Sequence, residues 1–154
     1  MDQGDELAVW YALSRLMADY WAEVDERGGA RAHEFYLPGG VYVVGDQRFE
    51  GHEKIAAFYA RRGHAMVATR HVLSNLRASP DAVPHHRITG LMSLYRADVK
   101  SAYQGARPPA MIADFEASCA WCDDSRWRFR SHVLRPFIIG NDLPASVSIY
   151  PRQL

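Results

Sequence analysis

The amino-acid sequence predicts an α+β fold, with helices in its first third and a curved antiparallel sheet built from most of the rest. Three observations carry this prediction. Apolar residues recur at three- and four-residue steps between residues 5 and about 27. From Thr69 onward the apolar period becomes two, over successive long segments. Turn-forming or polar stretches separate those segments, as in an antiparallel meander.

The first helix presents Trp10, Leu13, Met17, Tyr20, Trp21 and Val24 on one stripe, with Asp19, Glu23 and Glu26 on the other side. Gly28-Gly29 ends it, since glycine tolerates the left-handed turn a helix stop requires. A short helical piece is expected around 30–36, halted by Pro38-Gly39-Gly40. Val41 to Val44 reads as a β-branched strand, paired across Gly45-Asp46 with Gln47 to Glu50. A second helix runs from about His52 to Arg62, with Ile55, Phe58, Tyr59 and Arg62 sharing a face before Gly63.

Thr69 to Ser79 is the first long strand, and Ser79-Pro80-Asp81 opens a turn. Arg87 to Lys100 follows, with Ile88, Met92 and Leu94 on one parity. A polar loop over 101–109 leads to Ala110–Cys122, which puts Met111, Phe115, Cys119 and Trp121 on one face and Asp114, Glu116 and Ser118 on the other. After the turn Asp123-Asp124-Ser125, the strand Arg126–Ile139 shows Trp127, Phe129, Val133 and Phe137 on its inner parity. The tail 140–154 is expected to add an edge strand or cover a pocket mouth. A sheet that is apolar on one face needs a cover, and the first helix can supply it. A bent sheet closed over that helix leaves a concavity of the kind ligands occupy.

The length of 154 residues suits one domain spanning 1–154, with a core from about 5 to 138. Eighteen basic residues balance eighteen acidic ones, so no net field draws the chain to nucleic acid or an anionic membrane. No stretch is apolar for long enough to span a bilayer, and the acidic start lacks the basic-then-apolar pattern of a secretory signal; the expected compartment is the cytoplasm. Cys119 and Cys122 have no second pair to complete a zinc set, so both read as packing residues and no metal is expected.

The informative residues break the apolar pattern. Asp25 lies at the border of the helical stripe, one turn after Trp21, as either a solvated helix end or a carboxylate at the mouth of a dry cavity. His71 stands near the start of a strand, as a packed residue or an acid–base group. Asp98 and Arg135 fall on inward parities, where a charge is rarely buried unless paired; they form a structural ion pair or face a wet pocket. Tyr20 lies a little over one turn before Asp25, as a core tyrosine or a donor to the same pocket. His85-His86 follow Pro84 in a loop and read as solvent-exposed.

The order Tyr20-x-x-x-x-Asp25-x-x-Gly28, Phe49-Glu50-Gly51-His52-Glu53-Lys54-Ile55, Arg70-His71 with Ser74-Asn75, and Trp127-Arg128 resembles the SnoaL-like group of the nuclear transport factor 2-like superfamily. The resemblance covers about residues 5 to 138. It implies a cone-shaped, cystatin-like α+β fold, in which a curved mixed or antiparallel sheet wraps a long N-terminal helix. The group includes scytalone and bile-acid dehydratases, ketosteroid isomerases, polyketide cyclases and the β subunits of aromatic-ring dioxygenases. Its dehydratases pair an acid at the end of the first helix with a strand histidine, and Asp25 and His71 match those positions. Tyr20 matches a tyrosine ahead of the acid, and Asp98 and Arg135 fall near an acid and an arginine used by bile-acid dehydratases. The second histidine that scytalone dehydratases carry on the next strand has no inward counterpart here.

The resulting expectation is a small lyase or isomerase acting on a hydrophobic cyclic or polyketide-like carbonyl compound, with no cofactor. Asp25 orients His71, which works as base and then acid. Tyr20 and Arg135 stabilise the enolate. Arg135, Asp98, Trp21, Met92, Phe115 and Phe129 line the substrate site. A homodimer or homotrimer is expected. The alternatives are a non-catalytic dioxygenase β subunit bound to its α subunit, or a small-ligand-binding protein without turnover.

Overall fold

The computed structural model describes residues 3–62, 67–82, 84–98 and 105–141. Helix α1 spans Gln3–Arg27 and a short 3-10 helix spans Ala32–Phe35. Strands β1 (Tyr36–Val44) and β2 (Gln47–Glu50) precede helix α2 (His52–Arg62). Strands β3 (Val67–Pro80), β4 (His86–Asp98), β5 (Met111–Trp121) and β6 (Trp127–Ile139) complete one six-stranded sheet, in the order β2-β1-β6-β5-β4-β3. All pairings are antiparallel except β1 with β6, so the sheet is mixed. Among the described residues, no helix is long and apolar enough to cross a membrane.

The elements follow the sequence reading, with instructive exceptions. β1 starts at Tyr36, five residues earlier than the β-branched run suggests, and passes through Pro38-Gly39-Gly40 instead of stopping there. The β1–β6 register shifts between Tyr36 and Val41, so the irregular stretch sits in a bulge. A Cβ on Gly40 would lie 2.9 Å from the carbonyl oxygens of Leu37 and Phe129, so a side chain there would collide with backbone. Glu23 is buried instead of facing solvent: it accepts from the backbone N–H of Arg31 at 2.8 Å and from Arg27 Nε at 3.0 Å. It thereby fastens the turn after α1, where Gly28 and Gly29 both have positive φ. Trp10, on the predicted stripe, is 40% exposed. His85 and His86 are half-buried, and His86 opens β4 opposite Cys119.

Leu13, Met17, Tyr20, Trp21 and Val24 of α1 pack into one core with Tyr36, Tyr42, Phe58, Tyr59, Ile88, Met92, Phe115, Cys119, Phe129 and Leu134. Besides the one in β1, three bulges among the described residues shape the sheet around it. On β3, Asn75 and Leu76 together face the single residue Gly90, and Asn75 adopts φ 54. A Cβ on Gly90 would lie 2.8 Å from Phe115 Cε1 and from the Ser74 carbonyl oxygen, so the crossing of the strands is closed to any side chain. On β6, Arg130 is the extra residue between the pairs Ser118↔Ser131 and Cys119↔Phe129, and Phe137 is a second one between Ile112↔Ile138 and Ala113↔Pro136.

Each extra residue reverses which parity faces inward. β6 therefore buries Phe129 but then His132, Leu134 and Pro136. The expected inner set is corrected accordingly: Val133 is only half-buried and Phe137 is 49% exposed. On β5, Met111, Phe115 and Cys119 are buried as expected, with Ala113 and Ala117 between them, whereas Trp121 at the strand end is 57% exposed.

Candidate active site

Asp25 sits in the last turn of α1 and His71 in the first half of β3. Their side chains meet, with His71 Nδ1 2.6 Å from Asp25 Oδ1. Two further groups hold the carboxylate. The backbone N–H of His71 donates to Oδ2 at 2.8 Å, and Thr69 Oγ1 donates to Oδ1 at 2.8 Å. β3 is an edge strand, so N–H groups on its open side need another acceptor, and Asp25 provides one. The Asp25 and His71 side chains are 9% and 2% exposed.

The electrostatics fix the protonation states. Burial pushes the Asp25 carboxyl up, but the hydrogen bonds and charge of His71 and the hydroxyl of Thr69 outweigh it, and its pKa lies below the ordinary value. Burial pushes the His71 imidazole down by more than the bond to Asp25 raises it. At neutral pH the pair is an ionised carboxylate beside a neutral imidazole. The acceptor at Nδ1 places the ring proton there, leaving a lone pair on Nε2. That nitrogen has no hydrogen-bond partner among the described residues. The ring is held flat against Trp21, with centroids 3.9 Å apart and planes 12° off parallel.

A second histidine, His132, lies in the same cluster. It is fully buried, and its ring centroid is 5.6 Å from that of Trp21. Burial, reinforced by the nearby His71, pushes its pKa down to about 3, so it stays neutral. Its Nδ1 is 3.2 Å from the Tyr36 hydroxyl, which donates to the Tyr20 hydroxyl at 3.0 Å. Tyr20 in turn shares a short hydrogen bond with Tyr59. Sequence parity hid His132, because the Arg130 bulge turned it inward.

The other predicted residues divide. Trp21 joins the pair directly. Tyr20 is buried beside it, but its hydroxyl is engaged by Tyr36 and Tyr59. Met92, Phe115 and Phe129 are core residues, and Phe115 and Phe129 pack on His132 at 6.2 and 5.0 Å. Arg135 corrects its expected inward placement: after the bulge its parity faces outward, its side chain is 42% exposed, and its guanidinium lies 3.9 Å from Glu116. Asp98 ends β4 opposite Val67, and its side chain lies outside the described residues, as does the tail from 142 onward.

A cavity of about 140 Å³ adjoins Asp25, walled by Val24, Gly28, Tyr59, Arg62, Val67 and Thr69. The Arg62 guanidinium lies over the rings of Phe58 and Tyr59 at 5.6 and 5.7 Å. A larger surface groove, about 460 Å³, runs between the outside of α1 and the β5–β6 turn and contains neither Asp25 nor His71. Among the described residues no group of three or more His, Cys, Asp or Glu could hold a metal ion.

The model of a family described as a SnoaL-like domain matches residues 5–133. Solved structures share the fold. A protein provisionally described as a scytalone dehydratase from Novosphingobium aromaticivorans DSM 12444 aligns with a TM-score of 0.77 at 15% identity, over 96% of this chain and 97% of that one. LinA aligns with a TM-score of 0.72 at 19% identity, over 99% of this chain and 100% of that one. ActVI-ORFA from Streptomyces coelicolor aligns with a TM-score of 0.69 at 14% identity, over 84% and 97%. At these identities the likeness establishes the fold alone. No curated protein matches the chain by sequence.

Proposed function

The chain belongs to the SnoaL-like domain family of the nuclear transport factor 2-like superfamily, and from that premise we propose that it is a small lyase or isomerase working by acid–base chemistry on a hydrophobic cyclic or polyketide-like carbonyl compound. The observation that carries the reading is the buried Asp25–His71 pair, joined at 2.6 Å through Nδ1, with no bond to Nε2 among the described residues. A carboxylate on Nδ1 sets the tautomer, holds the ring and stabilises the imidazolium once a proton arrives.

In this reading His71 Nε2 removes a proton next to the substrate carbonyl, leaving an enolate and a His71 imidazolium. In a dehydration the same nitrogen then protonates the departing hydroxyl, which leaves as water as the double bond forms. In an isomerisation it returns the proton to another carbon. Either way the histidine ends neutral, so one residue closes the cycle. Arg62, on the cavity wall beside Asp25 and close enough to disfavour charge on His71, supplies positive charge for the enolate. That role was expected of Arg135, which faces the other side of the sheet.

The test is turnover of hydroxylated cyclic ketones by wild type, Asp25→Asn and His71→Ala. Removing the base is expected to lower kcat by about 10²–10⁴-fold, and Asp25→Asn by a similar factor through loss of the tautomer. Because the His71 pKa is lowered, kcat/KM should hold below the ordinary histidine range and fall only as pH drops through that depressed value. Unchanged turnover in both variants would refute the proposal.

A further inference from the structure

Two buried polar atoms beside His71 have no hydrogen-bond partner among the described residues. They are Trp21 Nε1, on a side chain whose residue is 3% exposed, and His132 Nε2, on a residue that is fully buried. Unsatisfied polar groups at such depth are uncommon, and two on neighbouring rings point to something that normally bonds to them.

Their chemistry is complementary. An indole nitrogen can only donate. His132 Nε2 is assigned by its neighbours: the Tyr36 hydroxyl spends its proton on Tyr20, so it accepts from His132 Nδ1–H. A neutral imidazole protonated on Nδ1 carries a bare lone pair on Nε2. The site thus offers one donor and one acceptor, on rings 5.6 Å apart. The stacked contact of Trp21 with His71 ties both to the base.

We propose that Trp21 and His132 form a seat for one hydroxyl group of the ligand, whose oxygen accepts from Trp21 Nε1–H while its proton is donated to His132 Nε2. This deepens the proposed function by naming the substrate class as an alcohol or enol, and it depends on that reading only for the chemistry at His71. A halide, an ether or a carbonyl oxygen at the same place satisfies the indole but turns a lone pair towards the lone pair of Nε2. Such a ligand leaves a buried acceptor unpaired, the situation in which polar sites discriminate strongly. The tyrosine chain behind His132 is the device that holds its tautomer. The seat therefore selects for an O–H and against a group of equal shape without one.

The experiment compares p-cresol with 4-chlorotoluene, which differ in O–H against Cl, by NMR titration of wild type, Trp21→Phe and His132→Phe. In wild type, p-cresol is expected to bind about 10-fold tighter or more. It should shift both the Trp21 indole resonance and the His132 Nε2 nitrogen resonance, the latter starting at the position of an unprotonated imidazole nitrogen. Either variant should reduce the preference to less than about 3-fold. Asp25→Asn should keep it, so loss of turnover in that variant and loss of the hydroxyl preference report on different claims. The inference is overturned by equal affinity for the two probes, by a preference that survives both variants, by a protonated Nε2 in the ligand-free protein, or by no binding of p-cresol. The nitrogen resonance is read in wild type, so it stands even where a variant fails to fold.

Discussion

The burial of His132 makes a quantitative prediction about stability against pH. In the unfolded chain this histidine titrates near its ordinary 6.5, and in the folded protein at about 3. Between those values the unfolded state binds a proton that the native state refuses, so stability falls as pH falls. At about pH 5 the difference amounts to roughly 2 kcal/mol, and at about pH 3 to roughly 4 kcal/mol, at 1.36 kcal/mol per unit. His71, also lowered by burial, acts with the same sign. Asp25, lowered on balance, adds its loss only below the ordinary carboxylate range. Comparing wild type with His132→Phe isolates the first contribution, because the other two are common to both. The replacement keeps an aromatic ring among Tyr20, Tyr42, Phe115 and Phe129, which surround His132. Urea unfolding followed by tryptophan fluorescence at about pH 7.5, 6 and 5 is the assay. Wild type should lose about 2 kcal/mol more than the variant between the two extremes. Parallel losses within about 0.5 kcal/mol would refute the reasoning, because His132 would then be protonated in the native state or excluded from its burial.

Two further predictions concern the turn that delivers Asp25. Gly29→Ala places a Cβ 2.5 Å from Tyr59 Cδ1 at φ +76, so strain and collision combine; a loss of about 2–3 kcal/mol is expected, seen as a fall in Tm of roughly 5–10 °C by calorimetry. Glu23→Ala removes the acceptor of the Arg31 N–H and should destabilise by about 1.5–3 kcal/mol, whereas Glu23→Gln, which keeps one acceptor oxygen, should lose less than half of that in the same denaturation assay.

Much of the candidate site is legible in the sequence because it lies before any break in period. Asp25 and Trp21 sit on one regular helix, where a wheel places them correctly. His71 precedes the Asn75 bulge, so its position relative to Thr69 and Leu73 follows simple alternation. The residues misread are those beyond a bulge or held by a partner. Counting by alternation from Phe129 puts Arg135 and Phe137 inward, and the extra residue Arg130 inverts that count. Glu23 lies on the polar side of the helical wheel, yet the Arg31 N–H and Arg27 enclose it.

Taken alone, the sequence determined the element types and their order, the family, and the candidate acid and histidine. Those follow from periodicity and from local residue chemistry, which act over a few positions. Only the tertiary structure decided that Asp25 and His71, 46 positions apart, meet at 2.6 Å, and that His132 joins them while Arg135 does not. The reason is geometric. A bulge inserts a single residue with no compositional mark of its own, yet every side chain after it changes face. Whether a buried polar atom is bonded or left over is then settled by which strands close around it.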